Sequence, residues 1–220
     1  VVDLMRALPY DAITLGNHEY DYGMERMFQL LRQVPAPIVC ANLYDVKLER
    51  TVFAPYVMRR FGDKRIAFVG ASTPTSMETE AYAFRDDEGN IIYDLQIDDI
   101  PALVQKAVDE ARRAGADYVI LDSHLGEEPT DRNSDSHFVV ANTTGIDIVL
   151  DGHSHDVIVA DTVLNKVGKP IVVSQTGTKF ANIGKLVISP DGKMTTELIL
   201  LNQVTEKDAY VAQLTDSIHA

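Results

Sequence analysis

One cysteine, 20 basic side chains against 33 acidic ones, and no apolar run long enough to span a bilayer: these shortages narrow the 220-residue sequence before any motif is considered. Cys40 stands alone and cannot close an intramolecular disulfide. Its setting in the apolar run PIVCAN reads as a buried side chain rather than a functional thiol. The shortage of positive charge leaves a net charge of −13. Such a surface repels phosphate backbones and disfavours a nucleic-acid-binding module. An acidic protein still processes anionic substrates where bound metal ions reverse the local sign. The lack of a long apolar run excludes a helical membrane span. No signal-peptide pattern is visible, but the opening VVDLMRALPYDA reads as the middle of a domain, so that absence excludes little. Repeats and low-complexity segments are missing too. What is present is an ordinary globular profile, 45% apolar and 24% charged, enough for one sizeable domain with a core that needs no staples.

The apolar pattern alternates between helix and strand periods. Positions 1, 2, 4, 5 and 8 form a helical face, AITLG reads as a buried strand, and positions 24, 27, 28, 30, 31 and 34 form a second helical face. APIVCANL is the next strand. YVMRRF, the turn GDK and RIAFVGAS predict a hairpin. Residues 73–99 are polar and irregular, and a connection that long often serves a site. A helix over 100–114 follows, with Asp98 and Asp99 as caps, Pro101 in its first turn and Gly115 as its stop. Then come the strand DYVILDS, a helix near 135–144 and the strand IDIVLDG. The last third is rich in strands: VIVADTVL, PIVVSQTG and a hairpin over 185–201 turning at PDG, with a closing or linker helix over 206–219. This order predicts an α/β protein with a partly parallel sheet and an antiparallel end, as a two-sheet sandwich with helices outside or as a single mixed sheet.

Histidine placement carries the chemistry. His18 follows AITLGN, His124 follows YVILDS, and His153 and His155 follow IDIVLDG. Sites in open α/β sheets collect beyond the carboxyl ends of the strands, and imidazole is the commonest protein metal ligand. On an extended backbone residues i and i+2 share a side, so His153 and His155 would share one metal or serve two adjacent ones. In GNHEYD, Asn17 can offer its carbonyl oxygen to a metal while His18 faces substrate and Asp21 holds the His18 ring. Glu19 and Asp151 read as supporting residues, His137 as a solvated helix residue, and Asp122 has no assignable role.

GNHEYDYG, CANL, SHLG and DGHSH resemble the motifs of the calcineurin-like metallophosphoesterases, and within them the N-terminal catalytic domain of the 5′-nucleotidase and 2′,3′-cyclic-nucleotide phosphodiesterase group. EGNIIYDL, GADYVIL and ANTTGIDIVLDGHSH extend the resemblance over nearly the whole chain. It implies a four-layer α/β/β/α sandwich carrying two divalent metal ions (Zn, Mn, Fe, Co or Ni, which the sequence does not separate). It makes Asn17, His124 and His153 ligands of the second metal, His155 a ligand of the first, and His18 and Asp21 the catalytic pair. The implied reaction is hydrolysis of a phosphoester, with nucleotides as substrates, in an extracellular, periplasmic or cell-surface setting and in nucleotide catabolism.

The family pattern also has an Asp-x-His motif and a Gly-Asp motif ahead of GNHEYDYG. Here only Asp3 and Asp11 occur in residues 1–11, in other contexts. The resemblance therefore implies an N-terminally truncated sandwich: a partial catalytic domain over 1–205, then a linker helix over 206–220 towards a substrate-binding domain. It further implies at most one well-held metal, low activity in the chain as given, and pairing through exposed sheet edges. The rival readings are another calcineurin-like hydrolase, a thiosulfohydrolase or a nuclease, and a non-catalytic metal-binding domain.

Overall fold

The protein is described from a computed structural model, which defines residues 1–95, 99–127, 134–203 and 206–219. In chain order the elements are α1 (Val2–Ala7), β1 (Ile13–Thr14), α2 (Gly23–Leu31), β2 (Ile38–Val39), β3 (Tyr44–Asp45), β4 (Arg50–Thr51), β5 (Tyr56–Phe61), β6 (Lys64–Ser72) and α3 (Ser76–Thr79). They continue with β7 (Tyr93–Asp94), α4 (Ile100–Arg113), β8 (Tyr118–His124), α5 (Ser136–Ala141), β9 (Ile148–Asp151), β10 (Val157–Leu164), β11 (Pro170–Thr176), β12 (Asn182–Ile188), β13 (Met194–Leu200) and α6 (Ala209–His219). The expected helices and strands are present. The segment after β6, read as irregular, also contains α3, a 3₁₀ turn over Ala81–Phe84 and β7.

Six strands form the main sheet in the order β10-β11-β9-β8-β6-β5. The four inner strands are parallel, and β5 and β10 close the edges antiparallel. Period-two alternation splits their side chains between two cores. Ala67, Val69, Ala71, Val119, Leu121, Val149 and Val173 face α4 and α5, meeting Val104, Ala107, Val108, Ala111, Val139 and Val140. Ile66, Ile120 and Ile148 face the other way, against Leu186, Ile188 and Met194 of the β12–β13 hairpin. Each fully buried aliphatic side chain contributes about 1.5–3 kcal/mol, so the alternation fixes which face each layer covers. α4 starts where the Asp99 side chain accepts the Ala102 N–H at 2.8 Å and stops at Gly115 (φ +91°). Asp98, the other expected cap, lies outside the described residues.

The parallel pair β1–β2 packs over Gly70 of β6, which by alternation shares its face with Ile66 and Phe68, the side covered by the β12–β13 hairpin. Thr14 Oγ1 donates to the Asp122 carbonyl at 2.8 Å, and the backbone at Val39 crosses Gly70 so closely that a Cβ there would sit 2.1 Å from the Val39 carbonyl oxygen. Beyond β1–β2, α2 buries Met24 and Met27 against Leu15, Tyr20 and Phe84. The layers therefore run α4/α5, main sheet, second β layer, α2, which is the α/β/β/α order. Among the described residues no helix is long and apolar enough to cross a membrane.

Candidate metal centre

Parallel strands end on one edge, and here that edge gathers the histidines. β8 ends in His124 and β9 leads into Gly152-His153, while β1 runs on through Gly16 into the 3₁₀ turn Asn17–Tyr20. The Asn17 side-chain oxygen lies 3.2 Å from His124 Nε2. The His124 and His153 rings stand 5.2 Å apart, centroid to centroid. Burial first, then the nearby His153, His155 and His18, push the His124 imidazole down to about 4. It is therefore neutral at pH 7, the form that ligates metal.

Glycines make the room. A Cβ on Gly16 would come within 3.0 Å of His124 Nε2, and one on Gly152 within 3.1 Å of His124 Nδ1. The Gly16 N–H donates to Glu19 Oε2 at 2.6 Å, which fixes the turn that presents Asn17. Glu19 thus serves the backbone, and burial raises its carboxyl above the usual range.

His153 and His155 correct one expectation. They do not project from an extended strand: His153 has φ +83° and His155 φ +62°. Non-glycine residues in the left-handed region are uncommon, and two within three positions mark a turn held by its surroundings. The residues on and beside the turn are tied to their neighbours. Asp151 Oδ1 accepts from Ser123 Oγ at 2.8 Å and from the Leu125 N–H at 3.0 Å, and Oδ2 accepts from the Gly126 N–H at 3.1 Å. Gln175, 1% exposed, donates through Nε2 to Ser154 Oγ at 3.1 Å. Asp151 ties the segment after β8 rather than contacting a histidine of the turn. Gln175 and Ser154 were not singled out; a glutamine inside the apolar run PIVVSQTG was the available signal, because a buried amide needs partners.

The second pair lies outside this pocket. His18 Nδ1 stands 3.0 Å from Asp21 Oδ2 and 3.2 Å from Oδ1, and the His18 side chain is 74% exposed. Asp21 thereby occupies Nδ1 and leaves Nε2 as the ring atom open to a substrate. Tyr82, from the long connection, donates its hydroxyl to the Asp21 carbonyl. Glu80, buried in the same connection, brings a carboxylate oxygen within 4.8 Å of the His18 and Asp21 ligand atoms. Neither Glu80 nor Tyr82 was legible as a site residue.

The Asn17 oxygen, His124 and the His153 ring thus lie close together; amide oxygen and imidazole are donor types that suit Zn, Mn, Fe, Co or Ni, and the glycine cradle and neutral His124 are compatible with such an ion. Asp3 and Asp11 are elsewhere, paired with Arg6 at 4.0 Å and Arg59 at 3.7 Å. Cys40 is buried with its thiol pushed up to about 11, which makes it inert.

A family profile described as bacterial capsule synthesis protein PGA_cap matches residues 1–174. The 2′,3′-cyclic-nucleotide 2′-phosphodiesterase/3′-nucleotidase of Haemophilus influenzae is 31% identical over 166 residues, which are 70% of this chain and 24% of that protein. The 5′-nucleotidase of Bos taurus is 33% identical over 161 residues, 70% of this chain and 25% of that protein. The chain thus spans about a quarter of the length of these curated relatives. Among solved structures, the calcineurin-like phosphoesterase YfkN of Bacillus subtilis superposes with a TM-score of 0.78 at 23% identity, covering 99% of this chain and 72% of that one. That likeness establishes the fold.

Proposed function

The chain belongs to the PGA_cap family of calcineurin-like phosphoesterases, and from that membership we propose that it is the catalytic part of a metal-dependent hydrolase of nucleotide phosphoesters. One observation carries the reading: a half-buried Asn17–His124 contact of 3.2 Å beside an exposed His18–Asp21 pair at 3.0 Å. A divalent ion held there supplies positive charge to phosphoryl oxygens and lowers the pKa of water. Asn17 and His124 present ligand atoms, and His153 completes the set from its strained turn. His18, oriented through Nδ1, offers its Nε2 proton to the leaving-group oxygen or to the charge that develops on it. His155 is the residue available to a second ion. The nucleotide part of the reading is supported by the names of the two relatives, both of which act on nucleotides.

The test is hydrolysis of an aryl phosphate diester, a 2′,3′-cyclic nucleotide and a 5′-nucleotide with Mn²⁺ or Zn²⁺ in excess, before and after chelation. The expected result is metal-dependent turnover that falls with His18→Ala. A polypeptide of these 220 residues should turn over slowly, because residues 1–16 bring no carboxylate to the site. Turnover that survives both chelation and His18→Ala overturns the reading.

A further inference from the structure

A second cluster lies behind the GHSH turn. His137 opens α5, Glu127 follows the exit of β8, and Asp161 sits where the β10–β11 pairing shifts register. A register shift of this kind re-aims a side chain. His137 Nε2 is 2.9 Å from Glu127 Oε1 and 3.3 Å from Asp161 Oδ2, and the three ligand atoms all lie within 4.8 Å of one another. His137 is therefore not the solvated helix residue its sequence setting suggested.

The contacts are close, yet they are not hydrogen bonds. Glu127 Oε1 and His137 Nε2 are both shut off from solvent, and neither has a hydrogen-bond partner among the described residues. If Nε2 carries a proton, the N–H misses the carboxylate beside it. If it carries none, a lone pair faces carboxylate lone pairs in a place water does not reach. The first arrangement keeps the charge attraction but leaves the N–H without a well-aligned acceptor, and the second is costly for buried polar atoms. A cation between them removes the cost: a tetrahedral ion with bonds of about 2.0–2.2 Å spaces its ligands by roughly 3.3–3.6 Å, which the 2.9 and 3.3 Å separations at His137 approach. The other Asp161 oxygen, Oδ1, accepts the Thr162 N–H at 2.8 Å, so Oδ2 is fixed towards His137. Burial raises the Glu127 carboxyl, His137 draws it down, and Asp161, Asp156 and Asp151 add further negative charge around it.

We propose that Glu127, His137 and Asp161 form a separate structural site for a divalent transition-metal ion. One imidazole and two carboxylates suit Zn²⁺ or Mn²⁺ rather than an ion that prefers oxygen alone. The ion clamps the β8 exit, α5 and β10 together. Its effect reaches the candidate centre through one bond, from the Glu127 N–H to Ser154 Oγ at 3.2 Å, because Ser154 lies between His153 and His155.

The test separates this site from the first. The chain carrying His124→Ala and His153→Ala is titrated with Zn²⁺ or Mn²⁺, and bound metal is counted after gel filtration alongside the melting temperature. It should still bind an ion and melt higher with it. Adding His137→Gln or Glu127→Gln, with the fold checked by circular dichroism, should weaken that binding at least ten-fold and abolish the gain. In the otherwise unaltered chain, His137→Gln should lower the metal content by one ion per chain. Binding that ignores both substitutions overturns the proposal. So does an absence of binding in the starting variant together with an unchanged metal content in His137→Gln, which would leave the cluster an ion pair only.

Discussion

Asn17 and His18 are neighbours in the chain and opposites in setting. Asn17 turns inward, against an imidazole kept neutral first by burial and then by the histidines around it; His18 turns outward, 74% exposed, and is held by a carboxylate. A single 3₁₀ turn, fixed by the Gly16–Glu19 bond of 2.6 Å, sends consecutive residues to two kinds of chemistry. Inside, protonation is disfavoured, which suits a metal ligand. Outside, the ring is open to solvent and oriented by a carboxylate, which suits acid–base work. On the proposed reading the contrast has a use: one short turn would set both a metal ligand and a proton donor relative to the same substrate.

The largest effects should come from the inner side. In a protein with a measurable turnover, His124→Ala and His153→Ala should each reduce activity to that of the metal-free protein, with metal content falling in step, since each removes one of few ligands. Full metal and full rate in either variant would erase the division between the two sides. The outer side should respond differently. His18→Ala should keep its metal and lose about 10²–10⁴-fold in turnover, and Asp21→Asn should fall between it and the unaltered protein. Metal lost from His18→Ala would make His18 a ligand. A smaller effect should follow from Gly152→Ala. Its Cβ would stand 3.1 Å from His124 Nδ1, so the ring must shift by a few tenths of an ångström. Metal binding should weaken by roughly ten-fold with the melting temperature little changed. An unchanged affinity would mean the ring is not seated by its glycines.

How much of this was legible in sequence depends on whether the cause is local. The α4 stripe, its Asp99 cap and the Gly115 stop are local, and they appear as read. The strand-end histidines follow from parallel topology, which the alternation of helix and strand already implied. What could not be read depends on the surroundings. The left-handed backbone at His153 and His155 lies between Asp151, tied to the loop after β8, and Ser154, tied to Gln175 of β11. The Tyr82 and Glu80 approach to Asp21 depends on how the long connection folds over the turn. His137 looked solvated because its partners, Glu127 and Asp161, lie 10 and 24 residues away in sequence. The antiparallel end was legible, but the place of β1–β2 over the main sheet depends on the close crossing of Val39 at Gly70.

The smallest effect is also the sharpest test of the inner environment, and it uses two residues of one strand that titrate in opposition. Burial pushes the Asp122 carboxyl up to about 6, with the Thr14 bond pulling it down and Asp151 pushing it up. Burial and neighbouring histidines push His124 down to about 4. In the unfolded chain these groups return to about 3.9 and 6.5. Between pH 4 and 6 the folded protein therefore holds more protons on Asp122 than the unfolded chain does, and fewer on His124. Stability from Asp122 falls as pH rises through this window; stability from His124 falls as pH drops through it. The two slopes largely cancel in the metal-free protein. Asp122→Asn should unmask the histidine, so that the denaturation midpoint drops as pH is lowered from about 6.5 towards 4. His124→Asn should unmask the carboxylate and reverse the sign, with the midpoint dropping as pH rises from about 4 to 6. Denaturant titrations of the metal-free variants at four or five pH values measure both slopes. If both variants kept the unaltered protein's profile, the inner side would be as wet as the outer, and the contrast between Asn17 and His18 would not be one of environment.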